Sequence, residues 1–395
     1  MPVFLTIVLD GVGIGAQPDA DRYGDEDSHT LGHVCAVAHP HLPHLANMGL
    51  GNIAPLAGVV AVTAPLGSYG KMQEVSAGKD STTGHWELAG IKLMSPFPTF
   101  PDGFPDELIK PFLAATGYDE VLGNCAASGT AIIDEFGPAH EASGQPIVYT
   151  SADSVFQIAA HKDVIALDEL YRICDIARDQ ICVGPFGVGR VIARPFVGTA
   201  GAYQRVSAER KDYSMLPPAP PLQSVLQEHG VLTISIGKVA DLFGAIGFDV
   251  SYKTKSNAEG IQRTLQILAE ADPDVPTFVW VNLVDFDQEY GHRNNPDGFA
   301  RALEAFDAAL PTLCAALPDN DSVLFITADH GNDPTTPGTD HSREYVPALC
   351  YQAGSEGVDL GLMATFADHA ATVAAYFQAP YVGPGKSFKD KVAGL

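Results

Sequence analysis

Ser322-Val323-Leu324-Phe325-Ile326-Thr327-Ala328-Asp329-His330-Gly331-Asn332-Asp333, with His341 beyond a Pro- and Gly-containing loop, is the stretch whose reading decides the fold. Residues 322–326 are a short apolar run with β-branched members, which reads as a buried strand of a parallel sheet. Open α/β sheets carry their chemistry just outside the carboxyl ends of the strands. There this chain sets an acid, an imidazole and, across the loop, a second imidazole. Asp and His are hard-to-borderline donors that suit Mn²⁺ or Zn²⁺. One such pair also reads as a polar turn after a core strand, so the argument turns on whether the pattern recurs.

It recurs twice. Val3 to Leu9 reads as a first strand and ends in Asp10-Gly11-Val12-Gly13-Ile14-Gly15. The spacing is not that of a dinucleotide-binding turn, and an acid precedes the first glycine. Phe278 to Val284 reads as another strand, followed by Asp285-Phe286-Asp287 and then Gly291-His292. Strands at 231–236 and near 346–350 alternate with helices at 257–271, 297–316 and about 365–377. Alternating βα units imply a parallel, doubly wound sheet. In such a sheet Asp10, Asp287, His292, Asp329, His330 and His341 share one edge. That set suffices for two metal ions roughly 3.5–4 Å apart, the arrangement used for phosphoryl transfer.

Gly78-Lys79-Asp80-Ser81-Thr82-Thr83-Gly84-His85-Trp86-Glu87 supplies a candidate nucleophile. Hydroxyl residues precede a helix-like run, where amide groups and the helix dipole favour a phosphoryl group and a cation activates the hydroxyl. An N-cap is the alternative role. Three hydroxyls compete, and residue chemistry alone does not choose among them. The spacing is not that of a Walker loop.

The whole chain has 395 residues, 46% apolar and 18% charged, with a formal net charge of −25. The length predicts two domains. The charge argues against broad binding to nucleic acid or anionic membranes, and leaves small phosphate substrates open. Cys35, Cys125, Cys174, Cys182, Cys314 and Cys350 are scattered without a C-x-x-C pair, as expected of reduced thiols in a cytoplasmic protein. No targeting segment or membrane-length apolar run is read. His29, His33, His39, His41 and His44 lack a regular ligand spacing and read as surface or structural residues. Prolines at 96, 98, 101 and 105 mark a crossover into an inserted segment, and Pro217 to Pro221 a stiff return. Between them Arg190, Arg194, Arg205, Arg210 and Lys211 concentrate basic charge; Arg forks suit phosphate oxygens, though salt bridges to the surplus acids would use them equally.

Val8-Leu9-Asp10-Gly11, the Gly78–Glu87 stretch, Thr150-Ser151-Ala152-Asp153-Ser154-Val155, Val284-Asp285-Phe286-Asp287 with Gly291-His292, and Thr327–Gly331 with Thr339-Asp340-His341 together resemble the prokaryotic phosphopentomutase family of the alkaline phosphatase superfamily. The resemblance runs from the first strand to the final helix. It implies an α/β core, a doubly wound mostly parallel sheet of alkaline-phosphatase type, from residues 1–96 and 217–395, with an inserted α+β cap at 97–216. It implies two Mn²⁺ ions (Zn²⁺ fits the same residues), one on Asp10, Asp329, His330 and the nucleophile, the other on Asp287, His292 and His341.

The implied nucleophile is Ser81, where the family usually has threonine; Thr82 or Thr83 is the alternative. The implied substrate residues are Ser151, Asp153, Arg190, Arg205, Arg210 and Lys238, with Arg190 and Arg205 on the distal phosphate. Lys211 and the Arg293-Asn294-Asn295 stretch depart from the family's usual residues. The implied reaction interconverts (deoxy)ribose 1-phosphate and 5-phosphate through a phosphoenzyme and a 1,5-bisphosphate. Glucose 1,6-bisphosphate or a pentose 1,5-bisphosphate would prime it, and no obligate protein partner is expected. Phosphoglycerate mutase, a plain phosphatase and a noncatalytic sugar-phosphate binder are the rival readings.

Overall fold

The computed structural model describes residues 2–151 and 154–392. The chain divides into two compact units, Met1–Ser95 with Pro217–Leu395 and, between them, Pro96–Leu216. The first boundary lies one residue before the one that the family resemblance implied.

The larger unit holds an eight-stranded sheet in the order Val250–Tyr252, Leu232–Ile236, Thr277–Leu283, Val3–Leu9, Val323–Thr327, Val346–Gln352, Ser68–Met72, Asp359–Met363. The first five strands are mutually parallel. Val3–Leu9, Thr277–Leu283 and Val323–Thr327 are buried at every position, which explains why they read as continuous apolar runs instead of alternating ones. Their registers are level: Leu9 lies opposite Leu283, Val8 opposite Thr327, and Val281 opposite Ile236. Asp10, Asp287, Asp329 and Lys238 therefore follow strands that end along one edge.

One strand of the mostly parallel sheet runs in the opposite direction. Val346–Gln352 runs antiparallel to Val323–Thr327. No helical crossover lies between them, and a parallel return needs a connection of a dozen or more residues that crosses the sheet face. Residues 328–345 instead fold over the strand end as the site loop, so the chain comes back in the opposite sense. Ser68–Met72 (Ser-Tyr-Gly-Lys-Met), which carries no apolar run, pairs antiparallel with Val346–Gln352.

The smaller unit is α+β. Its sheet runs Leu122–Ala126, Ile147–Thr150, Val155–His161, Arg190–Val197, Gln204–Arg205, with Lys211–Ser214 also paired to Arg190–Val197. Helices Asp106–Thr116 and Leu167–Ile176 contribute to one apolar cluster with Phe156 and Val191. Helix Gly129–Ser143 contributes to a second with Tyr149, Ile147 and Phe196.

Candidate metal centre

The hydroxyl stretch forms helix Ser81–Leu88, one turn earlier than the apolar residues suggested. Asp80, not a hydroxyl, is its N-cap, accepting from the Thr82 and Thr83 amides at 3.0 and 3.1 Å. Thr83 is occupied structurally, its hydroxyl donating to Asp80 Oδ2 at 2.6 Å. Ser81 occupies the first helical position with its Oγ 3.2 Å from His330 Nε2 and 3.4 Å from Lys238 Nζ. The helix is seated by Gly84, where a Cβ would lie 2.0 Å from the Asp329 carbonyl oxygen, and by buried Trp86, whose indole donates to Leu242 O at 2.9 Å.

Around Ser81 the strand ends bring together Asp10, Asp329 and His330, all buried. His330 Nε2 lies 3.4 Å from Asp10 Oδ1 and 3.4 Å from Asp329 Oδ2. Beside this group Asp287, His330 and His341 form a second, so His330 borders both. Asp287 Oδ1 is 3.3 Å from His341 Nε2, and its Oδ2 is 3.2 Å from His292 Nε2. His292 lies more open to solvent than the others and is outside the tightest cluster, with its ring 4.8 Å from that of His341.

The donor atoms fit cations. Both oxygens of Asp10, Asp329 Oδ2 and His341 Nε2 are buried without a hydrogen-bond partner, and buried polar groups are otherwise almost always paired. His330 Nδ1 donates to Gly331 O at 3.1 Å and His292 Nδ1 to Thr339 O at 2.6 Å. These bonds leave each Nε2 as the lone-pair nitrogen facing the acids. Burial alone would disfavour a charged His330, but Asp329 and Asp10 outweigh it and raise its pKa to about 10. Burial likewise opposes ionisation of Asp287 and Asp329, yet the facing imidazoles, His341 and His330 respectively, hold both carboxyls well below the usual range. In each case positive charge among the acids is what stabilises the cluster.

Several supporting residues carry no signal that sequence reasoning used. Asn332 donates from Nδ2 to Asp287 Oδ1 at 2.7 Å. His85 Nδ1 lies 2.9 Å from Ser81 O and 3.1 Å from Asp329 Oδ2, next to both segments. Glu344, buried, accepts from Thr30 N, Thr30 Oγ1 and Gly15 N, which closes the 10–15 turn over the centre. Lys79 pairs with Asp25 at 3.0 Å and Asp340 at 3.5 Å. Of the early histidines, His29 accepts from Gly32 N as a helix cap and His33 bonds Asp333 at 2.6 Å.

In the inserted unit Arg190 and Arg210 share Asp212, at 3.4 and 2.7 Å. Arg205 is exposed on a short strand opposite Phe196. The Ser151 carbonyl accepts from Thr150 Oγ1 at 3.4 Å, and Asp153 lies outside the described residues.

Known proteins agree with this geometry at the level of class. The family model of the metalloenzyme superfamily matches residues 1–381, which defines the chain as a metalloenzyme of that superfamily. Phosphopentomutase of Thermotoga maritima is 52% identical over 98% of this chain and 98% of its own length. That of Caldanaerobacter subterraneus subsp. tengcongensis is 50% identical over 97% and 96%, and that of Anaeromyxobacter dehalogenans 51% identical over 94% and 93%. The chain belongs to the phosphopentomutase family: it is an isomerase, a sugar phosphate mutase that acts as an intramolecular phosphotransferase. A solved phosphoglycerate mutase of Leishmania mexicana covers 98% of this chain and 97% of its own at 13% identity and TM-score 0.45, too distant to bear on substrate or mechanism. Among the described residues no helix is long and apolar enough to cross a membrane.

Proposed function

We propose that this enzyme interconverts ribose 1-phosphate or 2-deoxyribose 1-phosphate with the corresponding 5-phosphate, using Ser81 as the phosphoryl carrier. The observation that carries the reading is the position of Ser81 Oγ, at the head of a helix and within 3.4 Å of both His330 Nε2 and Lys238 Nζ. Asp10, Asp329, His330 and Ser81 would hold one divalent ion and Asp287, His292 and His341 the other, with Mn²⁺ favoured by the family and by the absence of thiolate donors, while Zn²⁺ fits the same residues. Bound there, the ions lower the pKa of the Ser81 hydroxyl and offset charge on the phosphoryl oxygens.

The chain's own groups account for the rest. Phosphorylated Ser81 gives its phosphoryl group to the free hydroxyl of the pentose monophosphate: the Ser81 Oγ–P bond breaks as the sugar O–P bond forms, giving a 1,5-bisphosphate. The phosphate at the other end then returns to Ser81 Oγ, restoring the carrier. Lys238 and the first amides of helix Ser81–Leu88 supply fixed positive potential to the transferring group. The alternative Thr83 is engaged by Asp80. Glucose 1,6-bisphosphate or a pentose 1,5-bisphosphate would prime the serine. Ser151, Asp153, Arg190, Arg205 and Arg210 would bind the sugar phosphate, and exclusion of water would favour transfer over hydrolysis. Six free cysteines, four of them buried, suit a cytoplasmic enzyme linking nucleoside breakdown to pentose phosphate metabolism.

The test is conversion of ribose 1-phosphate to ribose 5-phosphate with Mn²⁺ and glucose 1,6-bisphosphate, following free phosphate and 3-phosphoglycerate turnover in parallel. Conversion without phosphate release supports the reading. Phosphate release alone would make the chain a phosphatase, and turnover of 3-phosphoglycerate alone would replace the substrate.

A further inference from the structure

Residues 335–340 form the largely exposed crest of the site loop, between its buried first half and His341. Among the described residues two polar contacts tie this crest to chain outside the loop. Thr339 O accepts from His292 Nδ1 at 2.6 Å, and Asp340 Oδ2 lies 3.5 Å from Lys79 Nζ. The other oxygen, Asp340 Oδ1, accepts the His341 amide at 2.9 Å. Residues 339–341 therefore aim two imidazoles at one carboxylate. His292 is oriented through the Thr339 carbonyl and lies 3.2 Å from Asp287 Oδ2, and His341 Nε2 lies 3.3 Å from Asp287 Oδ1.

The lysine end of the contact is firmly held. Lys79 Nζ also pairs with Asp25 at 3.0 Å, and Asp25 Oδ2 accepts the amide of Arg343, two residues past His341, at 2.9 Å. Gly78, just before Lys79, accepts from Arg343 Nη1 at 2.7 Å, and Asp80, just after it, caps helix Ser81–Leu88. Lys79 is thus a cation between two carboxylates, anchored on the segment that delivers Ser81 and reaching the crest that delivers His341. An ordinary surface ion pair contributes little. This one differs in two ways: the Lys79 side chain is only 19% exposed, and the carboxylate it reaches bonds the amide of a ligand. The first group of ligands has no such dependence. Asp10 and Asp329 follow the fully buried strands Val3–Leu9 and Val323–Thr327, and His330 is buried with them.

We propose that Lys79 is a positioning residue: through Asp340 it fixes the 339–341 crest and so sets how tightly Asp287, His292 and His341 hold their ion, without touching the ion, the sugar phosphate or the transferring phosphoryl group. The inference deepens the two-ion reading of the centre and rests on it.

Mn²⁺ is titrated calorimetrically into the metal-free full chain. The parent should take up two ions, and His292→Ala identifies which binding event belongs to the Asp287 group. Lys79→Met should weaken that event about tenfold, the low end of the loss for an outer partner of a ligand, and leave the other event and the thermal melt of the metal-free protein unchanged. Asp340→Asn keeps the acceptor for the His341 amide and removes only the charge facing Lys79. It should give the same loss, the double variant no more than either single change, and Lys79→Arg should retain most of the parent's affinity. Mutase turnover by Lys79→Met should fall at limiting Mn²⁺ and return to the parent's kcat at saturating Mn²⁺, as mass action refills the site. Equal weakening of both events, or of neither, overturns the positioning role. So does a loss of kcat that saturating Mn²⁺ leaves in place, which would put Lys79 against the reacting groups. Uptake of a single ion by the parent overturns the two-ion reading itself, and the role of Lys79 with it.

Discussion

Arg343→Met should be among the most damaging single changes to this chain outside the ligands. The Arg343 guanidinium is buried, and its Nη1 donates to Glu74 Oε2 at 2.8 Å, Ser76 O at 2.9 Å and Gly78 O at 2.7 Å. Nη2 donates to Glu74 O at 2.9 Å, and Asp19 lies on the outer side at 3.1 Å. One side chain therefore fixes the 74–78 segment that leads into Asp80 and Ser81. Breaking a buried, hydrogen-bonded pair by removing one partner costs about 3–5 kcal/mol. Burial already pushes the Glu74 carboxyl well above its usual range while Arg343 pulls it back. Without the arginine Glu74 takes up a proton more readily, so the loss should be smaller in acid and grow as pH rises. Urea denaturation of the parent, Arg343→Met, Glu74→Gln and the double variant gives both the loss and the coupling. The double variant should recover about 0.5–3 kcal/mol relative to additivity, the range for residues sharing one network. The reasoning is refuted if Arg343→Met unfolds within about 1 kcal/mol of the parent, against the cost expected for a buried pair, or if the two changes simply add.

Two further outcomes follow from contacts around the centre and core. Asn332→Ala removes the amide that orients Asp287 and should weaken metal binding about 10–100-fold, as loss of an outer partner of a ligand does; competition with a calibrated chelator reads this directly. His369 is buried among Phe4, Phe278, Trp280 and Phe325, bonded to Thr6 Oγ1 and near Leu88 O. Burial lowers its pKa from 6.5 to about 4. Below pH 6.5 the unfolded chain therefore binds the extra proton and the folded one does not, so stability falls as pH drops from 6.5 to 4, by about 3 kcal/mol from this group. Urea midpoints at both pH values should show this component missing in His369→Gln.

The strand ends were legible because burial on both faces forces a continuous apolar run, and an acid that interrupts it marks the edge: Leu9 to Asp10 and Thr327 to Asp329 are two instances. Residue chemistry made Ser81 legible only as one of three hydroxyls, and the family resemblance singled it out. What distinguishes it is spatial, because Asp80 engages Thr83 while His330, 249 residues away, faces Ser81. The antiparallel Val346–Gln352 strand was not legible as such, since its direction is set by the shape of the 328–345 loop and not by its own residues. Arg343 and Glu344 sit next to a buried strand and look like surface charges in sequence. Their partners Glu74 and Thr30 lie 269 and 314 residues away, so no local pattern announces the pairing. Asn332 lies inside the most informative stretch of the chain, yet an amide after Asp-His-Gly gives no hint that it steers Asp287.

The central claim is that Ser81 carries the phosphoryl group, and peptide mass spectrometry tests it most directly. The Mn²⁺-loaded enzyme is primed with glucose 1,6-bisphosphate, quenched in acid and digested. A phosphate on Ser81, lost on addition of ribose 5-phosphate and absent from Ser81→Ala, is the predicted result. A phosphate on Thr82 or Thr83, or label persisting in the Ser81→Ala protein, would contradict it.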